Sequence, residues 1–80
     1  MIRINLKYFG ELAEKTGCSE EQLDLELTNL SSALELLHKK YSLADSTFMV
    51  AVNQEQITQI EIINLKNNDE VALLPPFAGG

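Results

Sequence analysis

The part of this 80-residue sequence best suited to chemistry is its end, LLPPFAGG. Pro75 and Pro76 fix φ and favour an extended path, so the tail should leave the preceding element in a defined direction. Gly79 and Gly80 have no Cβ, and such a backbone can enter a channel too narrow for other residues. A carboxylate resists nucleophiles until it is activated, for example by adenylation. The pattern therefore indicates an acyl group that is activated inside another protein's active site.

The elements before the tail must hold it in place. Apolar and polar residues alternate over Ile2–Tyr8, which predicts a half-buried strand. The stretch FGELAEKTG predicts a short helix stopped by Gly17, with three apolar residues on one face: Phe9, Leu12 and Ala13. Alternation returns in EEQLDLELT and predicts a second strand with Leu23, Leu25 and Leu27 on one side.

The stretch NLSSALELLHKKY changes to a helical period. Asn29 is a candidate N-cap, and Lys39 and Lys40 suit the last turn. The apolar face of this main helix comprises Leu30, Ala33, Leu34, Leu37 and Tyr41.

The remaining sequence predicts three more strands. TFMVAVN is the third, with Phe48, Val50 and Val52 on one side. A tight turn then leads into a short strand through Ile57, and a polar turn at 67–69 precedes the last strand, Glu70–Leu74. Strands with a helix across one face give an α+β two-layer domain.

Composition excludes several classes of function. The net charge of −6 argues against DNA or RNA binding, which requires a basic face. The single Cys18 permits no intrachain disulfide, no apolar run approaches a membrane span, and the alternating N-terminus is unlike a signal peptide. We expect a cytoplasmic protein that binds no nucleic acid and no membrane.

With these residues in view, the chain resembles the MoaD-like small subunits of molybdopterin synthase, sulfur carriers with a ubiquitin-like β-grasp fold. The resemblance lies in four stretches that follow one another along the chain as they do in the family. They are YFGELAEKTG, NLSSALELL, VAVNQEQI and NNDEVALLPPFAGG. It implies a β-grasp domain over 1–74 and a flexible tail over 75–80. The sheet would be mixed, with about five strands, one main helix and one short helix.

The resemblance also implies a role for each tail residue. Gly80 would be adenylated and converted to a thiocarboxylate that donates sulfur to cyclic pyranopterin monophosphate. The residues inserted into the large subunit would be Pro75, Pro76, Phe77, Ala78 and Gly79. Catalytic groups would lie on the large subunit, in a heterotetramer of two small and two large subunits. An E1-like activating enzyme would consume ATP, a separate system would donate sulfur, and no cofactor would stay bound.

A partner surface is expected on the outward side of the third and last strands, at Met49, Ala51, Ala72 and Leu74, because an exposed apolar set on a small domain suggests an interface. The resemblance adds Phe9. Two residues depart from the family pattern: Ala13 stands where a basic residue is frequent, and Phe77 replaces a smaller aliphatic residue. Both bear on how the tail packs and with which partner.

Two other functions remain open from the sequence. A thiamine-pathway sulfur carrier would share the fold and the terminal glycines, and a ubiquitin-like modifier or interaction module would share the shape. Cys18 and His38 are expected to be incidental, since neither has a catalytic partner nearby in the sequence, and no metal site is expected. The acidic residues in the first half of the chain either contact a basic partner or simply face the solvent.

Overall fold

The computed structural model describes residues 1–43 and 48–76. Its elements follow in the order β1 (Ile2–Tyr8), α1 (Glu11–Thr16), β2 (Glu20–Leu25), α2 (Leu30–Tyr41), β3 (Met49–Val52), β4 (Glu55–Ile57), a 3₁₀ turn (Ile60–Ile62) and β5 (Glu70–Leu74).

The strands form one mixed sheet in the order β2-β1-β5-β3-β4. β1 and β5 are parallel at its centre, while β1 with β2, β3 with β5, and β3 with β4 are antiparallel. This arrangement confirms the predicted α+β class. Because β5 is the middle strand and is hydrogen-bonded on both sides, the tail starts from a strand that is held by two neighbours.

The hydrophobic core lies between one face of the sheet and α2. Leu30, Ala33, Leu34 and Leu37 of α2 are buried, as their spacing predicts. They face the alternate buried residues of the strands, which include Ile4, Leu6, Val50, Val71 and Leu73. Within residues 1–43 and 48–76 no polar or charged side chain is buried, so burial of apolar surface supplies most of the core's stability.

The start of α2 and the end of α1 confirm the sequence interpretation. Asn29 accepts a hydrogen bond from the amide of Ser32 at 2.8 Å through its side-chain oxygen and so caps α2. Gly17 has φ 79° and ends α1 by donating its amide to Ala13 O at 2.9 Å. The two-residue turn before β4 has positive φ at Asn53 and Gln54, as a tight hairpin requires.

Two predictions of local structure were wrong, and one element was not predicted. Phe9 does not share the face of α1: its amide continues the pairing of β1 by donating to Leu73 O at 3.1 Å. Leu27 lies outside β2, which ends at Leu25, and its side chain is 64% exposed. The 3₁₀ turn at Ile60–Ile62 was not predicted, because three residues are too few to show a period.

Candidate functional site

The tail begins directly after β5, beside the end of β1. Tyr8 is the register partner of Leu73 on the neighbouring parallel strand. The bond from the Phe9 amide to Leu73 O fixes the chain one residue further along. Pro75 and Pro76 therefore leave the sheet from a backbone held on both sides. Phe77, Ala78, Gly79 and Gly80, including the predicted sulfur-bearing terminus, lie outside the described residues.

Gly10 leaves room for Pro75, the first residue of the tail. A Cβ added to Gly10 would lie 2.9 Å from Pro75 Cγ, closer than real Cβ contacts allow. Gly10 also has φ 57° and ψ −133°, a conformation that L side chains rarely adopt. The sequence patterns alone do not single out Gly10. The feature that could have indicated its role is a glycine between a predicted strand and a predicted helix, in a chain whose tail starts with proline.

The five residues predicted as a partner surface come together on the face of the sheet opposite the core. Met49 is paired with Leu74, and Ala51 with Ala72, in the register of β3 and β5. Residues directly opposite in a pair point to the same face. Phe9, 44% exposed, follows the core residue Tyr8 and donates its amide to Leu73 O, so alternation places its side chain on this outer face. Ala72 is buried even on this outer face, because it is small and stands between Lys7 and Ala51.

The same outer face is polar on β1 and β2. Lys7 forms an ion pair with Glu70 at 3.2 Å. Arg3 donates to Asp24 at 2.7 Å, and this contact lowers the pKa of Asp24. The outer face is therefore divided into an apolar half, continuous with the tail, and a charged half that suits water. We call the first half the apolar face; it comprises Phe9, Met49, Ala51, Ala72 and Leu74.

A hydrogen-bond network on the core side ties β1, β2 and α2 together. The hydroxyls of Tyr8 and Tyr41 both donate to Glu21 Oε2, at 2.6 and 2.5 Å. Lys40 Nζ donates to Glu21 Oε1 at 3.1 Å. Burial is the largest single influence on Glu21 and opposes its charge, but the three donors together lower its pKa. Burial, and then the bond to Glu21, raises the pKa of Tyr8.

The residues set aside in the sequence show no catalytic arrangement in the described parts of the chain. Cys18 is half-buried, with Sγ 3.9 Å from Thr16 Oγ1. His38 packs against Phe48 with ring centroids 5.8 Å apart. Over residues 1–43 and 48–76 no three His, Cys, Asp or Glu side chains are grouped to hold a metal ion. No helix in these ranges is long and apolar enough to cross a membrane.

Comparison with known proteins decides the family. Residues 6–80, from the last part of β1 to the end of the tail, match the ThiS family. The chain belongs to the ThiS family. A molybdopterin synthase sulfur carrier subunit of Dictyostelium discoideum is 32% identical over 77 residues, covering 90% of each chain. The Caenorhabditis elegans protein of the same name is 30% identical over the full length of both chains.

Solved structures agree on the β-grasp fold of this ThiS-family chain. The small archaeal modifier protein 1 of Haloferax volcanii has a TM-score of 0.76 and 27% identity, covering 98% of this chain and 99% of that one. A chain from the complex of subunits 1 and 2 of the Helicobacter pylori molybdopterin-converting factor has a TM-score of 0.75 and 22% identity, covering 99% and 100%. The predicted fold is confirmed along essentially the whole chain.

Proposed function

We propose that this chain is the sulfur carrier subunit of molybdopterin synthase. The observation that carries the proposal is the match of residues 6–80 to the ThiS family, with full-length relatives that bear this function in their names. The structure supports it through β5, a central strand that ends directly before Pro75, and through the fit of Pro75 against Gly10.

The proposed chemistry takes place at the carboxylate of Gly80. An activating enzyme transfers AMP from ATP to this carboxylate and releases pyrophosphate. A sulfur donor then displaces AMP and leaves a thiocarboxylate. In the synthase, the thiocarboxylate sulfur bonds to cyclic pyranopterin monophosphate, and water cleaves its bond to the Gly80 acyl carbon and restores the carboxylate. Two such transfers supply the dithiolene sulfurs of molybdopterin. This chain contributes the acyl carrier, while the groups that act on the pterin belong to the large subunit.

The apolar face is the proposed contact with the large subunit. It adjoins the base of the tail, so a partner that covers it also receives Pro75 and the residues that follow. Apolar residues at the centre of an interface, with a charged margin such as Lys7 and Glu70, are typical of specific protein complexes. We place this assembly, with two small and two large subunits, in the cytoplasm.

The deciding experiment combines the chain with its activating enzyme, ATP and a sulfur donor, followed by mass spectrometry of tryptic peptides. The peptide after Lys66 reads NNDEVALLPPFAGG and contains neither methionine nor cysteine, so oxidation elsewhere cannot imitate the added sulfur. We expect one oxygen to be replaced by sulfur in this peptide. A Gly80→Val variant should fold but stay unloaded. Persistent absence of sulfur from the wild-type peptide would refute the proposal.

A second function is supported by one observation, the 27% identity with small archaeal modifier protein 1. We infer that the activated Gly80 could also form an amide with a lysine of another protein. Conjugates of higher mass that contain this chain, and that vanish in the Gly80→Val variant, would demonstrate it. The thiamine-pathway alternative predicts instead that the loaded chain restores thiazole synthesis in a strain lacking its own carrier.

A further inference from the structure

A groove between the edge of the sheet and α2 has no part in the proposed sulfur chemistry. One wall is the segment 24–27 at the end of β2, and the other is formed by Glu35, Leu36 and Lys39 of α2, with Met1 at one end. Its volume is about 410 Å³, within the usual range of binding clefts. We call it the β2–α2 groove.

The groove concentrates the exposed apolar side chains of the molecule. Five large apolar residues in the described ranges are exposed, and three of them, Met1, Leu27 and Leu36, line this groove. Leu36 is particularly informative, because the other leucines of α2 are buried in the core. A leucine on the outer side of a helix, next to a second exposed leucine, indicates a surface that is covered by a partner.

The strand beside the groove offers backbone hydrogen bonds as well. β2 is at the edge of the sheet and pairs only with β1 among the described strands. An edge strand presents a row of free N–H and C=O groups to an incoming strand. An extended peptide satisfies both features at once, by pairing with β2 and placing alternate side chains between β2 and α2.

The charges specify the chemistry of that peptide. Glu20 lies on the outer face of β2, and Glu26 follows the end of β2 at the groove. No ion pair or hydrogen bond joins these two side chains to another described residue. The α2 wall carries one charge of each sign, Glu35 and Lys39, so the excess negative charge lies on the β2 side. Opposite charges on adjacent strands attract. A strand that alternates apolar and basic residues would direct the apolar ones to Leu36 and the basic ones to Glu20 and Glu26.

We propose that the β2–α2 groove binds an extended segment of another protein, alternating apolar and basic residues, by addition of a strand to β2. The groove lies at the Ile2 end of β1, and the tail leaves at the Tyr8 end. Seven residues of strand separate these ends by roughly 20 Å. The carrier can therefore hold this segment while its tail is inside another active site.

The probe is the acetylated peptide Lys-Val-Lys-Val-Lys-Val, titrated into the full chain and followed by amide NMR shifts. Saturable shifts in β2 and in the α2 residues of the groove are expected. Leu36→Gln should weaken binding by roughly tenfold or more, since it removes one buried leucine contact. Ile62→Gln is the matched control, because Ile62 is also exposed but lies away from the groove, and it should bind as the wild type does.

Several results would overturn the proposal. Equal binding of the peptide Glu-Val-Glu-Val-Glu-Val would remove the charge argument. Shifts confined to β3 and β5 would place the peptide on the apolar face instead. Groove shifts that grow with protein concentration and without peptide would identify a second copy of the chain as the occupant. No saturable binding at millimolar peptide would also refute it. None of these measurements depends on sulfur loading, so the two proposals fail separately.

Discussion

The ring of Pro75 occupies the space in which a side chain of Gly10 would begin. The Cβ that Gly10 lacks would lie 2.9 Å from Pro75 Cγ. The loop after β1 is thus shaped to receive the first residue of the tail. The first residue of the tail is fitted against a residue that is 65 positions away in the sequence.

Replacing Gly10 should therefore impair function more than stability alone explains. Gly10→Ala adds the strain of a side chain at positive φ, roughly 1–3 kcal/mol in the free energy of unfolding, and displaces Pro75. We expect sulfur loading of Gly80 to slow by about tenfold or more. A tenfold change corresponds to a cost of about 1.4 kcal/mol for bringing the displaced tail into its productive position. Loading rates and urea denaturation measure the two effects.

Gly17→Ala is the matched control for this variant. Gly17 also has positive φ, but no atom lies within 4 Å of its added Cβ, so it incurs the backbone strain without a clash. It should lose stability and keep its loading rate. Combining Gly10→Ala with Pro75→Ala should recover part of the loading by removing the ring. Equal loading of the Gly10→Ala and wild-type chains would show that the contact does not direct the tail.

The Glu21 network should make stability depend on pH in the acid range. Hydrogen bonds from Tyr41, Tyr8 and Lys40 outweigh burial and lower the pKa of Glu21 in the folded state. A lowered carboxyl pKa stabilises the fold above the unfolded value, near 4.5, and this contribution is lost as pH falls through the folded pKa. Glu21→Gln should cost about 1–3 kcal/mol at pH 7, the usual loss for hydrogen bonds to a charged group.

The measurement is the free energy of unfolding from urea denaturation between pH 3 and pH 7. The difference between wild type and Glu21→Gln should shrink as the pH falls below about 4.5. Tyr41→Phe is a milder variant that removes one donor and should lose part of the same contribution. A difference that stays constant over this range would show that the charge of Glu21 does not stabilise the fold.

The sequence predicted what depends on local patterns. Periods of two and 3.6 located β1 and α2, and the chemistry of Asn29 and Gly17 located helix ends, because those signals lie within a few residues. The apolar face was also predicted, since alternation in β3 and β5 separates Val50 from Ala51. Contacts between distant segments were not predicted. The Gly10–Pro75 contact and the three donors on Glu21 depend on the register of β1 with its neighbours.

Leu27 shows that a local pattern can also predict a longer strand than the structure has. It continues the alternation of Leu23 and Leu25, so the period placed it in the strand. The pairing with β1 ends at Ile2 and Leu25, and no further residues of β1 remain to support a longer strand. The side chain is consequently exposed beside α2.

The cap of α2 gives a direct test of helix stability. Asn29→Ala removes the acceptor of the Ser32 amide and should reduce the free energy of unfolding by about 1 kcal/mol. Asn29→Asp keeps an acceptor and adds a favourable charge at the helix N-terminus, so it should retain stability. Urea denaturation of the three proteins measures the order. Equal stability of Asn29→Ala and wild type would show that the hydrogen bond contributes nothing.

The apolar face can be tested apart from the tail. Ala51 lies near the middle of the apolar face, paired with Ala72, and Ala51→Arg would place an unpaired charge in the proposed interface. Binding to the large subunit should weaken by about 2 kcal/mol or more, as for residues at the centre of interfaces. Gln22→Arg puts the same charge on the polar half of the same face, opposite Asn5, and should bind normally.

Isothermal titration with the purified large subunit measures the binding of both variants. Because neither variant changes 75–80, their tails should still accept sulfur. If both variants bound the large subunit equally well, its contact with this chain would have to be sought outside the apolar face.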